Sequence, residues 1–142
     1  MTIKIINGPN LNLLGTREPE IYGNQSFEEF LEGLNKDFPD CRIDYFQSNS
    51  EGAVIDAIQA CRQGCDGLII NAGAYSHSSP AIADALAAAE VPAVEVHISN
   101  IYKREAFRHH SFIAPKCIAS ISGMGLEGYR AAANFLLIQK NI

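Results

Sequence analysis

Arg17 and Tyr22 lie five residues apart in a polar connection that runs from Pro9 to Asn24, PNLNLLGTREPEIYGN. A tyrosine takes a proton only as phenolate. A phenol in water ionises near pH ~10, so neutral conditions demand roughly 4 kcal/mol of help. An exposed ion pair supplies at most ~1 kcal/mol. Arg17 is therefore sufficient only if the connection closes as a flap and excludes water, where its field is stronger. Gly15 and Gly23 bracket the pair as candidate hinges, and Asn10 and Asn12 add hydrogen-bonding side chains. Read singly, Tyr22 is a loop-clamping aromatic and Arg17 a solvated cation. Read together they suit proton abstraction beside an anion.

A second pair, Glu95 and His97, sits two residues apart in the apolar run from Pro92 to His97, so both side chains fall on one face of a strand. Central parallel strands are normally apolar throughout, and a carboxylate buried in one needs a partner. The His97 imidazole is the nearest candidate, and Glu95 would fix its tautomer. A self-satisfied polar pair at a strand end is the plain alternative. The segment Asn71-Ala-Gly-Ala-Tyr-Ser-His77 leads toward a helix N-terminus, whose amides and dipole favour anions. Asn71 and His77 would add directed hydrogen bonds, while Ser78 and Ser79 suit capping. Ile98-Ser99-Asn100 offers a further nest of backbone donors. Lys103, Arg104 and Arg108 cluster nearby, either as a solvated helix face or as a positive mouth for a small anion.

The elements that would position these groups alternate. Ile3 to Asn7, Arg42 to Gln47, Gly67 to Asn71, Pro92 to His97 and Cys117 to Ile121 read as strands. Between and after them, capping signals at Ser26, Ser48 and Ser79-Pro80 open helices with apolar residues at helical spacing, and Leu126 to Gln139 closes the chain. Ile101 to His110 reads as one or two helical turns. Strand–helix alternation predicts an α/β fold with a parallel sheet covered on both faces. Five strands in this length predict a flavodoxin-like, doubly wound order 2-1-3-4-5. Ligands in such sheets sit beyond the carboxyl ends of the strands, at the switch between strands 1 and 3. Asn10 to Tyr22, Asn71 to His77 and His97 to Arg108 all follow strand ends there.

The composition narrows the classes. One domain over residues 1–142, 47% hydrophobic and 19% charged, is expected to bury a full core. A net charge of −5 without a basic stripe argues against nucleic acid. No apolar run approaches a membrane span, and the opening MTIKIINGPN is too short for a signal peptide, so no membrane partner and a cytoplasmic location are expected. Cys41, Cys61, Cys65 and Cys117 lack C-x-x-C spacing and read as reduced packing residues, not metal ligands. Gly123-Met-Gly125-Leu-Glu-Gly128 matches a dinucleotide fingerprint, but no second βαβ unit follows it, so it reads as a tight turn with close helix packing. His109 and His110 read as surface residues.

The segments NGPNLNLLGTREPEIYG, QSNSEG, IINAGAYSHSSPAIADAL, VEVHISNIYKREAFRHHS and ISGMGLEGY, in this order from about Ile5 to Leu136, resemble the type II 3-dehydroquinate dehydratase family. The resemblance implies dehydration of 3-dehydroquinate, a small anionic cyclic substrate, to 3-dehydroshikimate by acid–base elimination through an enolate. It implies a hydro-lyase without cofactor, Schiff base or metal, in shikimate biosynthesis or in quinate breakdown. It implies a homododecamer, a tetramer of trimers. It assigns Tyr22 as proton acceptor, His97 as proton donor and Arg17 as stabiliser of the charged flap. Asn71, His77, Asp84, Arg108 and the backbone at Ile98 and Ser99 would bind substrate, with Asn10, Glu95 and Arg104 in support. Asp84 comes from the resemblance alone; on its helix it looks like an exposed acid. Elimination from a β-hydroxy ketone needs a base, an acid for the departing hydroxyl and donors for the enolate oxygen, which this set would supply. The rival of another class is a flavin-binding electron carrier of the same topology, which needs aromatic residues around the ring and leaves the Arg17–Tyr22 pair unexplained. A non-catalytic interaction module would expose an apolar patch. A Schiff-base enzyme needs a buried lysine, whereas Lys4, Lys36, Lys103, Lys116 and Lys140 look peripheral.

Overall fold

The computed structural model describes residues 1–16, 20 and 24–142; Arg17 and Tyr22 lie outside the described residues. Five strands, β1 (Thr2–Asn7), β2 (Arg42–Gln47), β3 (Gly67–Asn71), β4 (Ala93–His97) and β5 (Ala119–Ser122), form one sheet in the order β2-β1-β3-β4-β5. Every pairing is parallel. The flavodoxin-like order expected from the alternation is the one observed.

Among the described residues four helices cover the sheet: α1 (Phe27–Asp37), α2 (Glu51–Ala60), α3 (Pro80–Ala89) and α4 (Glu127–Lys140). On one face Phe27, Phe30 and Leu34 of α1 and Tyr129, Ala132, Ala133 and Leu136 of α4 pack on Ile3, Ile5, Ile69, Val94 and Val96. On the other, Val54 and Ile58 of α2 and Ile82, Ala85, Leu86 and Ala89 of α3 pack on Ile6, Leu68, Ile70 and Ala93. Successive strand residues thus serve opposite layers, as the two-residue pleat requires. By the same alternation Glu95 and His97 share the α2/α3 side with Ala93.

Ser26 Oγ accepts from Glu29 N–H and Ser79 Oγ from Ile82 N–H, so two of the expected caps form. The third moves. Ser50, not Ser48, caps α2, with its hydroxyl accepting from Ala53 N–H. Ser48 N–H donates to Asn7 C=O and so still belongs to the β1–β2 ladder. β5 begins later than Cys117, because Cys117 N–H closes a 3₁₀ turn onto Ala114 C=O. The stretch from Ile101 to His110 forms two short 3₁₀ turns, Ile101–Lys103 and Ala106–His109.

Two glycine sites shape the sheet's carboxyl end. Gly8 N–H donates to Asn71 C=O, and a Cβ on Gly8 would lie 2.5 Å from the Ala72 carbonyl oxygen. Only glycine lets the chain leaving β1 pass so close to the chain leaving β3. At the far strand, a Cβ on Gly128 would meet Val96 Cγ1 at 3.2 Å, so α4 starts tight against β4. The glycine-rich segment is the close-packed turn its sequence suggested.

Candidate active site

A pocket of about 690 Å³, counting its open mouth, lies at the carboxyl ends of β1, β3 and β4. Asn10, Asn71, His77, His97, Ile98, Ser99, Arg104 and Arg108 are among its lining residues.

His97 forms the floor on the β4 side. It is buried, and its Nε2 lies 2.7 Å from Glu95 Oε1, itself buried. A carboxylate only accepts, so Nε2 carries the hydrogen and Nδ1 is the nitrogen left for a ligand. Glu95 has two more donors: Ser111 Oγ at 2.6 Å on Oε1 and Ser120 Oγ at 2.8 Å on Oε2. Burial raises the Glu95 carboxyl, but the His97 bond and charge and the two hydroxyls together hold it below its ordinary value. The carboxylate is therefore anionic and held from both oxygens.

His77 stacks on His97, ring centroids 5.7 Å apart. Its Nδ1 lies 2.8 Å from His110 C=O, so Nδ1 donates and Nε2 is an acceptor. Burial lowers its pKa, the carbonyl bond only partly opposes this, and the charges of His97 and Arg108 push the same way. His77 is thus a neutral ring in the pocket lining, with Nε2 left to accept a hydrogen bond. His110 is exposed as expected, yet its carbonyl orients a pocket residue.

The basic cluster divides. Arg104 and Arg108 line the pocket, whereas Lys103 is exposed and outside the lining. Glu105 Oε2 accepts from Arg108 Nε at 2.7 Å and lies 4.0 Å from Arg104 Nε. Arg104 also reaches Ser99 Oγ at 3.4 Å. Asn10 holds a left-handed conformation at φ 70° and its N–H donates to Asn49 Oδ1. The carbonyls of His97 and Ile98 accept from Gly123 and Gly125 N–H, and the Ser99 carbonyl from Ser122 Oγ. The glycine turn therefore fixes the peptide planes under the pocket.

Asn71 joins a network that spacing did not foreshadow. Its Nδ2 donates to Tyr129 OH at 2.9 Å, and Tyr129 OH donates to Asn7 Oδ1 at 2.8 Å. Asn71 Oδ1 accepts from Gly73 N–H. Burial pushes the Tyr129 phenol far above its ordinary range, so it stays protonated. Asp84 stays apart: it is exposed on α3 and is not among the pocket lining. Ser111, Ser120 and Tyr129 are residues the sequence reading missed. Strand register was the one available signal, since Ser120 stands directly beside Glu95.

A sequence profile described as dehydroquinase class II matches residues 1–137. The chain belongs to the class II dehydroquinase family. It is 51% identical over 138 residues to a protein named 3-dehydroquinate dehydratase from Acaryochloris marina, covering 96% of this chain and 93% of that one. It is 49% identical over 140 residues to a catabolic 3-dehydroquinase from Pyricularia oryzae, covering 95% and 88%. The crystal structure of a type II dehydroquinase from Butyrivibrio crossotus superposes with a TM-score of 0.93 at 48% identity, covering 96% and 97%. The chain thus shares its fold and sheet order with an experimentally solved relative. Among its described residues, no helix is long and apolar enough to cross a membrane, and no group of three or more His, Cys, Asp and Glu could hold a metal ion.

Proposed function

We propose that this class II dehydroquinase removes water from 3-dehydroquinate to give 3-dehydroshikimate, by acid–base elimination through an enolate and without Schiff base, metal or other cofactor. The observation that carries the reading is the buried Glu95–His97 pair opening onto a pocket flanked by Arg104 and Arg108. In this reading Tyr22, as phenolate beside Arg17, takes the proton next to the ketone. Electrons move to the carbonyl oxygen, and the enolate is held by donors near Asn10. His97 enters the step doubly protonated, with Nε2–H held by Glu95. Its Nδ1–H proton passes to the departing hydroxyl as the C–O bond breaks, releasing water and leaving a neutral ring, and the proton taken by Tyr22 returns to His97 to complete the cycle. Asn71, neutral His77, Arg108 and the amides at Ile98 and Ser99 bind the hydroxyls and carboxylate of the ring.

None of the lysines at 4, 36, 103, 116 and 140 is among the pocket lining, which supports a reaction without an imine. Among the described residues the lining holds no Tyr or Phe that would sandwich a flavin, which supports the dehydratase reading over an electron carrier. We further propose one catalytic domain over residues 1–142, working in the cytoplasm with all four cysteines free. We propose assembly into a homododecamer of trimers in which exposed Asp84 meets a neighbouring copy's pocket.

Purified protein, treated with EDTA, is assayed with 3-dehydroquinate by the enone absorbance of the product. Turnover is expected, and borohydride added with substrate should not inactivate it. Loss of activity to borohydride would establish an imine and overturn the elimination as written. Asp84→Ala is expected to lower both oligomer size and activity in a dilution series followed by sedimentation; a fully active monomer would remove Asp84 from the site.

A further inference from the structure

Glu95 must present one oxygen to His97 in a fixed direction, and a side chain with a free hinge at its carboxyl does not do that alone. The geometry is set from outside β4. Ser111 Oγ lies 2.6 Å from Glu95 Oε1, the same oxygen that meets His97 Nε2. Ser111 Oγ also accepts from Ala114 N–H at 3.1 Å, which orients the hydroxyl and leaves its hydrogen for the carboxylate. Ser120 Oγ reaches the other oxygen, but Ser120 lies on the exposed edge strand, where solvent can replace it. Ser111 is half-buried among the loops behind the pocket.

We propose that Ser111 is a positioning residue for proton donation: its hydroxyl holds Glu95 Oε1 against His97 Nε2, so that Nδ1 stays turned toward the substrate. The kinetic part of this inference rests on the elimination reading above; the orienting part does not. Bonds to an ionised group are roughly twice as strong as neutral ones. Ser111 should therefore matter through the charge of Glu95, beyond its capping of the Ala114 turn.

The test is a cycle of Ser111→Ala, Glu95→Gln and the double variant, with Ser111→Thr as the variant that keeps the hydroxyl. Ser111→Ala should lower kcat roughly tenfold with KM little changed, on the scale of a lost bond to a charged group. In the Glu95→Gln background the same change should cost about threefold or less. Ser111→Thr should restore most of the rate. An equal penalty in both backgrounds would reduce Ser111 to a turn cap and overturn the proposal. A second readout needs no turnover. In protein labelled with ¹⁵N-histidine, the His97 Nε2 proton, assigned by its absence in His97→Gln, should move upfield and exchange faster in Ser111→Ala. An unchanged resonance would also overturn the proposal. If the resonance responds while unaltered protein does not turn over 3-dehydroquinate, the elimination reading fails and the orienting role stands.

Discussion

Two buried polar networks sit side by side at the carboxyl end of the sheet, and they are built on opposite principles. The Glu95–His97–Ser111–Ser120 network encloses an anion, every partner donating to one carboxylate. The Asn7–Tyr129–Asn71 network is neutral, with a phenol that both accepts and donates. The first draws its partners from β4, β5 and the loop between them. The second is closed by α4, whose Tyr129 reaches Asn7 across 122 positions of chain. A buried charge needs several donors aimed at it, whereas a neutral network trades single donors and acceptors, and among the described residues Asn7 Nδ2 finds no acceptor. The charged network is therefore suited to hold a proton donor, and the neutral one to hold the strands beside it.

The comparison breaks first under tyrosine substitution. Tyr22→Phe and Tyr129→Phe each remove one phenolic oxygen. Tyr22→Phe should nearly abolish kcat while ligand binding and the thermal midpoint persist; a fully active Phe variant would eliminate Tyr22 as the base. Next comes His97→Ala, expected to lower kcat by ~10²–10⁴, the range of general acid–base catalysis. A rise in KM alone would make His97 a binding group. Tyr129→Phe should act mainly on stability. It leaves Asn71 Nδ2 and Asn7 Oδ1 without their partner, a cost of about 1–3 kcal/mol, visible as a lower midpoint in calorimetry. A Tyr129→Phe protein as stable as the parent would show that water replaces the hydroxyl.

The smallest effect separates the networks by pH. The folded Glu95 carboxyl ionises below its ordinary value, so the unfolded chain binds more protons in that window. Its contribution to stability is complete above the ordinary carboxylate range and is lost as pH falls through the folded value. Thermal midpoints measured on acidification should therefore fall less steeply for Glu95→Gln than for the parent. Tyr129→Phe should parallel the parent.

The comparison also shows what sequence carries. Glu95 and His97 were legible because a two-residue spacing in an apolar strand leaves no other easy partner. Tyr129 was not, because its bonds depend on how α4 docks, and a tyrosine in the first turn of a helix that follows a glycine-rich turn gives no sign of its distant partners. Ser111 was hidden in FRHHSFIAP, where nothing local marks a hydroxyl aimed at a strand. Caps show the same limit at short range. Ser48 and Ser50 both fit a helix start, and only the ladder bond from Ser48 to Asn7 decides between them. The five strands and their order were legible because alternation of apolar runs with capped helices admits few sheets. The starts of β2, β3 and α3 matched their local signals. The start of β5 did not, since a turn closing on Ala114 takes the first residues of that apolar run. Arg17 and Tyr22 lie outside the described residues, and their roles rest on the proposed reaction.

β4 is buried at every position from Ala93 to His97 and yet carries a carboxylate and an imidazole. Exchanging a buried ion pair for well-fitted apolar side chains is often neutral or stabilising. On the proposed mechanism, leucine-like residues at 95 and 97 would leave the strand as stable or more so and the protein without its proton donor. Selection for thermal robustness alone would therefore drive this sheet toward losing its chemistry, and engineered stabilisation is best directed to surfaces away from β4.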